Sequence, residues 1–154
     1  MTSRPANTPS TRTRRAPVQL AALVFGIVFV LVGILGFIPG VTTNYDALLF
    51  AGNDSGALLL GVFQVSILHN IVHLLFGVAG IVLSRKFSGA RNFLIWGGVI
   101  YFVLWIYGLF VAGMDTAANI VPLNNADNWL HLVLAIAMVA LGLLLGRREA
   151  TTRR

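Results

Sequence analysis

The sequence lacks cysteine altogether and has few charged residues. None of its 154 residues is cysteine, which excludes disulfides, thiolate metal ligands, haem attachment through cysteine and thiol catalysis. Charged residues make up 10% of the chain and hydrophobic residues 57%. Because a soluble domain carries about 25% charged residues, this composition predicts an integral membrane protein, and the length allows one compact unit.

The net charge of +6 does not indicate a nucleic-acid-binding protein, because the basic residues lie in short clusters beside apolar runs. Such clusters are typical of contacts with the anionic head groups of a lipid bilayer. We expect these contacts from Arg14, Arg15, Arg85, Lys86, Arg91, Arg147 and Arg148.

Four apolar runs are long enough to be membrane-spanning helices. The predicted spans are 18–38, 57–84, 92–112 and 129–146, with a disordered basic tail over 1–17 and a second basic tail over 147–154. Pro39 and Gly40 end the first span, because proline does not continue a helix. The predicted fold class is therefore all-α, an integral membrane four-helix bundle.

The charges also predict an orientation. All 11 Lys and Arg residues lie before the first span, between the second and third spans, or after the fourth span. The two other loops carry Asp46, Asp54, Asp115 and Asp127 and no basic residue. The positive-inside rule then places both termini in the cytoplasm, and we expect a multi-pass protein of the plasma membrane.

Polar side chains are concentrated on particular faces of three predicted spans. At about 100° per residue, His69 and His73 share one face of the second span, and the other side chains of this face are polar or small. His69 and His131 lie equally far from the basic end of their spans, which predicts equal depth. The predicted intramembrane polar cluster consists of Ser66, His69, Asn70, His73, Tyr101, Asn128 and His131.

Three roles are open for this cluster. Neutral histidines and asparagines can lock helices together by hydrogen bonds of about 0.6–2 kcal/mol each, which is the leading interpretation and needs no cofactor. Alternatively, His69, His73 and His131 could ligate zinc or copper, or His69 and His131 could bind a haem from opposite sides. The third possibility is a path for protons or a small solute.

Several functional classes lack their usual residues. No Asp, Glu, Lys or Arg lies within a predicted span, as carboxylate-coupled antiport or voltage sensing would need. No nucleophile–base set and no phosphate loop is present, so an enzyme is not expected. The remaining hypotheses are a structural or interaction bundle, in a homo-oligomer or a larger membrane complex, a metal- or haem-binding redox-linked protein, and a component of a small-solute transporter.

Four segments resemble a known family. They are LGFIPG at 35–40, TNYD at 43–46, FQVSILHNIVH at 63–73 and NNADNWLH at 124–131. They are similar to an uncharacterised bacterial family, chiefly actinobacterial, of small four-helix membrane proteins known only as a domain of unknown function. The resemblance covers about residues 16–146 and implies a multi-pass bacterial plasma-membrane protein, but it implies no activity, cofactor or catalytic residue.

A weaker similarity lies within the chain itself. Leu68-His69 and Gly80 align without gaps on Leu130-His131 and Gly142. This alignment predicts that the second and fourth spans belong to duplicated two-helix hairpins.

Overall fold

The computed structural model describes residues 14–52, 54–114 and 118–147. These residues form four helices, namely α1 (Pro17–Leu35), α2 (Ile67–Leu83), α3 (Phe87–Val111) and α4 (Asn125–Gly146). The predicted all-α, four-helix fold class is therefore confirmed. Residues 1–13, Asp115 and residues 148–154 lie outside the described part, and with them most of both predicted tails.

Three of these helices, α1, α3 and α4, are long and apolar enough to cross a membrane. Helix α2 is apolar but has only 17 residues, which is at the short end of the range for a span. Large apolar side chains cover the outer surface of the bundle, as in Leu75 with 66% exposure and Phe110 with 70%. Exposed apolar surface on this scale is typical of a lipid-facing protein, so the fold indicates a membrane protein.

The prediction of a second span over 57–84 is wrong at its beginning. Residues before Ile67 instead form short strands, β1 (Thr42–Thr43), β2 (Leu58–Leu59) and β3 (Phe63–Gln64). They pair antiparallel in the order β1-β2-β3. In the sequence, the sheet and its neighbouring loops lie between α1 and α2. We call the end of the bundle at which α1 ends and α2 begins the sheet end.

Turn chemistry explains why the apolar run does not form one helix. Leu60 (φ 54°) and Gly61 (φ 71°) both adopt the left-handed conformation, which glycine tolerates and which tight β-hairpins require. Helix α2 then begins after Ser66, whose hydroxyl accepts a hydrogen bond from the His69 backbone N–H at 3.1 Å. Hydropathy alone does not distinguish an apolar hairpin from the first turns of a span.

The helices pack as two pairs, α1 with α2 and α3 with α4. A Cβ on Gly26 would lie 2.7 Å from the Ile81 backbone nitrogen, and a Cβ on Gly98 would lie 2.9 Å from the Ala135 carbonyl oxygen. Glycine therefore allows the backbones of each pair to approach closely, as small residues commonly do in membrane bundles. The two pairs meet chiefly through α1 and α3.

The second pair repeats the first in a fixed register. Asn124 caps α4 as Ser66 caps α2, since its side chain accepts a hydrogen bond from the Asp127 backbone N–H at 2.9 Å. Positions 58 apart then correspond, and they carry Asn70 and Asn128, His73 and His131, and Gly77 and Ala135. On α1 and α3, positions 72 apart correspond. These positions carry Gly26 and Gly98, Phe29 and Tyr101, and Gly36 and Gly108.

This register differs from the predicted one, which aligned His69 with His131. The helix caps show that His131 corresponds to His73, whereas His69 corresponds to Asp127. The predicted alignment followed sequence identity near the basic end of the helices, but the position of a side chain around a helix is counted from where that helix begins.

Candidate functional site

The three histidines and Tyr101 come together at the sheet end of the bundle, from three different helices. The rings of His69 and His73 stack with centroids 4.6 Å apart. The ring of Tyr101 lies edge-to-face against that of His131, with centroids 5.2 Å apart. Phe29 on α1 joins the two groups, because it contacts His73 at 5.9 Å and Tyr101 at 5.4 Å.

Ser66, Asn70 and Asn128 are near this group but do not form the expected hydrogen-bonded cluster with it. Ser66 is engaged in capping α2. The Asn70 amide fills the space above Gly36 and the Asn128 amide fills the space above Gly108, where a Cβ would overlap them. Both Asn70 amide atoms and Asn128 Oδ1 are buried without a hydrogen-bond partner in the described part of the chain.

The histidine rings are held by backbone groups. His73 Nδ1 lies 3.0 Å from the His69 carbonyl oxygen, one turn earlier in α2. The His69 ring lies next to the Gln64 backbone in β3. His69 Nδ1 and His131 Nδ1 are buried and have no hydrogen-bond partner among the described residues, and both residues are only 5% exposed.

Asp127 is a buried residue of the site that the sequence analysis placed in a polar loop. Its Oδ2 accepts hydrogen bonds from the backbone N–H groups of Gln64 at 2.9 Å and Asn124 at 3.1 Å. It therefore joins β3 to the first turn of α4, and it is 3% exposed. The available signal was the Asn-x-x-Asp spacing of a capping box, which marks residue 124 as the N-cap.

Two cavities flank the histidine cluster, and all three histidines line both of them. The first has a volume of about 100 Å³ and also contacts Asp127 and the sheet. The second has a volume of about 90 Å³ and also contacts Tyr101. The remaining lining residues of the first cavity are Val32, Leu59, Leu60, Phe63, Val65, Leu130 and Leu134, and those of the second are Val72, Leu104, Val121 and Leu123.

The two cavities are counterparts in the repeat. Four lining residues of the first correspond to four of the second, namely Val32 to Leu104, Phe63 to Val121, Val65 to Leu123 and Leu130 to Val72. Asp127 breaks this correspondence. It lines only the first cavity, whereas its counterpart His69 lines both. The duplicated architecture thus produces two similar apolar cavities around one group of imidazoles, and the first cavity also has a carboxylate.

The metal and haem hypotheses gain no support from this geometry. Within residues 14–52, 54–114 and 118–147, no group of three or more His, Asp or Glu side chains is arranged to hold a metal ion. The cavities of about 100 and 90 Å³ are also well below the ~300–1,000 Å³ typical of sites for drug-sized ligands.

The basic residues lie at the opposite end of the bundle, which we call the basic end. Arg14 and Arg15 precede α1, Arg85 and Lys86 follow α2, and the other two described basic residues are Arg91 and Arg147. A Cβ on Gly146 would lie 2.6 Å from Arg91 Cδ, which places the start of α3 beside the end of α4. Arg148 lies outside the described residues.

Comparison with known proteins places the chain in a family. Residues 19–144 match the family described as a domain of unknown function, DUF4383, and the chain belongs to that family. No curated protein and no solved structure matches the chain.

Proposed function

We propose that this member of the DUF4383 family is a multi-pass plasma-membrane protein that holds a small ligand between its four helices. The ligand site is the pair of cavities around His69, His73 and His131. The observation that carries the proposal is the presence of buried, unpartnered ring nitrogens on His69 and His131, two residues that line both cavities.

The unpaired ring nitrogens favour a ligand-binding role for the cluster over a purely structural one. More than about 90% of buried polar groups in proteins have a hydrogen-bond partner. A buried group left unpaired costs about 1–3 kcal/mol. Histidines that only locked helices together would direct their ring nitrogens at each other or at the asparagines, whereas these two histidines line cavities large enough for a small molecule.

The orientation follows from the separation of the charges. All six described basic residues lie at the basic end, whereas Asp46, Asp54 and Asp127 lie at the sheet end. The positive-inside rule then favours a cytoplasmic location for the basic end and for both termini. In this orientation the ligand site lies toward the outer surface of the membrane, and the basic residues contact anionic lipid head groups.

Association with other membrane proteins stays a prediction. Small helix residues, which could offer contact surfaces to a partner, pack inside the chain, as Gly26 does against Gly77, Gly80 and Ile81. Transport of a small solute also stays a prediction. It requires the same binding step as the proposal and, in addition, an exit path toward the basic end.

Extraction of a co-purified ligand tests the proposal. The protein is purified in mild detergent, extracted with organic solvent and analysed by mass spectrometry, together with the variants His69→Phe and His131→Phe. We expect a compound that is enriched in the unmodified protein and lost in both variants, because the larger ring fills the cavities. The control is Val78→Phe, at an exposed position on α2.

The proposal is overturned if the extracts of all four proteins are the same although all four fold. Folding is verified by circular dichroism and by a single size-exclusion peak. Retention of the compound in the control and its loss in both histidine variants assigns it to the cavities, whereas retention in all variants assigns it to bulk lipid.

A further inference from the structure

We propose that the histidine cluster is a hydrogen-bond acceptor site, and that its ligand carries a compact O–H or N–H donor group. The inference rests on the proposed function and names the ligand class of the same site. In the rings of His69 and His73, the nitrogen that lies against the backbone is the protonated one, and the other nitrogen carries the free lone pair.

The backbone determines the tautomer of His73. Its Nδ1 lies 3.0 Å from the His69 carbonyl oxygen. A carbonyl oxygen only accepts hydrogen bonds, so Nδ1 carries the proton. In a neutral imidazole the other nitrogen is then an acceptor, and Nε2 of His73 presents a lone pair.

The opposite tautomer accounts for the surroundings of His69. Its Nδ1 has no partner among the described residues, while its ring lies next to the Gln64 backbone. A proton on Nε2 directed at the Gln64 carbonyl oxygen fits both observations, since a carbonyl oxygen only accepts hydrogen bonds. His69 Nδ1 then presents a lone pair, and the stacked rings of His69 and His73 offer one acceptor nitrogen each.

The other polar groups of the cavities are consistent with a donor ligand. The first cavity adds the Asp127 carboxylate, and no Lys or Arg of the described residues lines either cavity. An anionic ligand would face a carboxylate and imidazole lone pairs with no cation to balance its charge. Tyr101 lines the second cavity, and because its hydroxyl can donate or accept, it tolerates either partner.

The cavity size limits the donor group. Volumes of about 100 and 90 Å³ are smaller than the ~150 Å³ of an apolar cavity that binds benzene. Each therefore holds a few non-hydrogen atoms with an alcohol or amine function. Such a group can come from a water-soluble molecule or from the head of an amphiphile, since Leu60 and Val72, which line the first and second cavities, are exposed on the outer surface.

Nitrogen NMR of the histidines tests the proposal directly. The chain has only three histidines, so protein labelled with ¹⁵N-histidine in lipid nanodiscs gives six ring signals, which single substitutions assign. We expect a protonated Nδ1 and a bare Nε2 for His73, and the reverse for His69. Either tautomer reversed overturns the acceptor assignment before any ligand is added.

Three probes then distinguish the ligand chemistry and its source. Methylamine is a water-soluble donor, dodecanol is a membrane-borne donor, and acetate is an anionic acceptor. We expect at least one donor to shift the signals of His69 Nδ1 and His73 Nε2, with loss of the shift in His131→Phe, and no shift with acetate. A shift with methylamine alone indicates a ligand from water, and one with dodecanol alone indicates a ligand from the bilayer.

Failure of this inference is distinguishable from failure of the proposed function. If acetate shifts the ring signals and neither donor does, the donor class is wrong while binding at the site stands. If no probe shifts them, the donor class is also rejected, and the extraction experiment still decides whether the site holds a ligand. The tautomer measurement needs no variant other than those used for assignment, so it does not depend on the folding of His131→Phe.

Discussion

Phe29 and Tyr101 stack face to face, with ring centroids 5.4 Å apart and planes only 6° from parallel. The two rings occupy corresponding positions of the repeat, one on α1 and the other on α3. Each also contacts the corresponding histidine, Phe29 with His73 and Tyr101 with His131. The stack therefore joins the two helix pairs at the point where the histidines meet.

Removing one ring of this stack should destabilise the bundle. For Phe29→Ala we expect a loss of about 3–5 kcal/mol of unfolding free energy, because the buried ring leaves a cavity between the helix pairs. Tyr101→Phe retains the stacked ring and should change stability by less than about 1 kcal/mol. Reversible unfolding in mixed detergent–SDS micelles measures both, and equal losses would show that the tyrosine hydroxyl, rather than the stack, holds the pairs together.

A methyl group at Gly77 should separate α2 from α1. Its Cβ would lie 2.6 Å from the Val30 backbone nitrogen, and backbone atoms cannot move aside as a side-chain tip can. We expect Gly77→Ala to reduce the unfolding free energy by about 1–3 kcal/mol. The neighbouring Val78→Ala alters a 52% exposed side chain and should change stability little, so a similar effect of both substitutions contradicts close packing of this pair.

The two buried asparagines should be replaceable by leucine. Asn70→Leu and Asn128→Leu keep the branched shape of the side chain while removing an amide that has unpartnered atoms. Replacing a polar group by an apolar one of the same shape is neutral or stabilising when no hydrogen bond is lost. We expect an unchanged or higher melting temperature, and a decrease in both variants would indicate that ordered water or a ligand pairs the amides.

The sequence predicted the helices better than their ends. Hydropathy located all four helices, because a span must be apolar over most of its length. It missed the hairpin over 57–66, since Leu58, Leu59 and Phe63 are as apolar as a span. It also began the third and fourth helices about one turn late, since α3 begins at Phe87 and α4 at Asn125, because hydropathy does not record polar first turns such as that capped by Asn124.

The site was predicted in part. Helical periodicity brought His69 and His73 onto one face, and all three histidines line the same cavities. His131 is, however, level with His73 in the repeat and not with His69, which its distance from the basic end had indicated. Periodicity does not specify hydrogen-bond partners between helices, so the packing of Asn70 against Gly36 could not be derived. The role of Asp127 was missed because it depends on a backbone N–H of β3, an element that the sequence analysis had assigned to a helix.

Removal of the Asp127 carboxylate should loosen the sheet from α4. Asp127→Ala leaves the N–H groups of Gln64 and Asn124 without their acceptor, and each unpaired group costs about 1–3 kcal/mol if it stays buried. Asp127→Asn retains one acceptor oxygen and should recover part of the loss. Hydrogen exchange at the Gln64 amide reports the contact, and unchanged protection in Asp127→Ala would show that another group accepts this bond.

The proposed orientation is testable because the chain has no cysteine. Single cysteines at two exposed positions, Asp54→Cys at the sheet end and Ser88→Cys at the basic end, report the side of the membrane on which each lies. We expect a membrane-impermeant maleimide to label residue 54 in intact cells and residue 88 only after lysis. The reverse pattern would place the ligand site toward the cytoplasm.

His69 in α2 and Asp127 in α4 occupy the same position of the repeat. Because these two residues differ, the two cavities present different polar groups. A donor group therefore meets a different second acceptor in each cavity, Asp127 in the first and Tyr101 in the second. The repeat in this way supplies two non-equivalent positions beside one group of imidazoles, because its halves differ at His69 and Asp127 and at Phe29 and Tyr101.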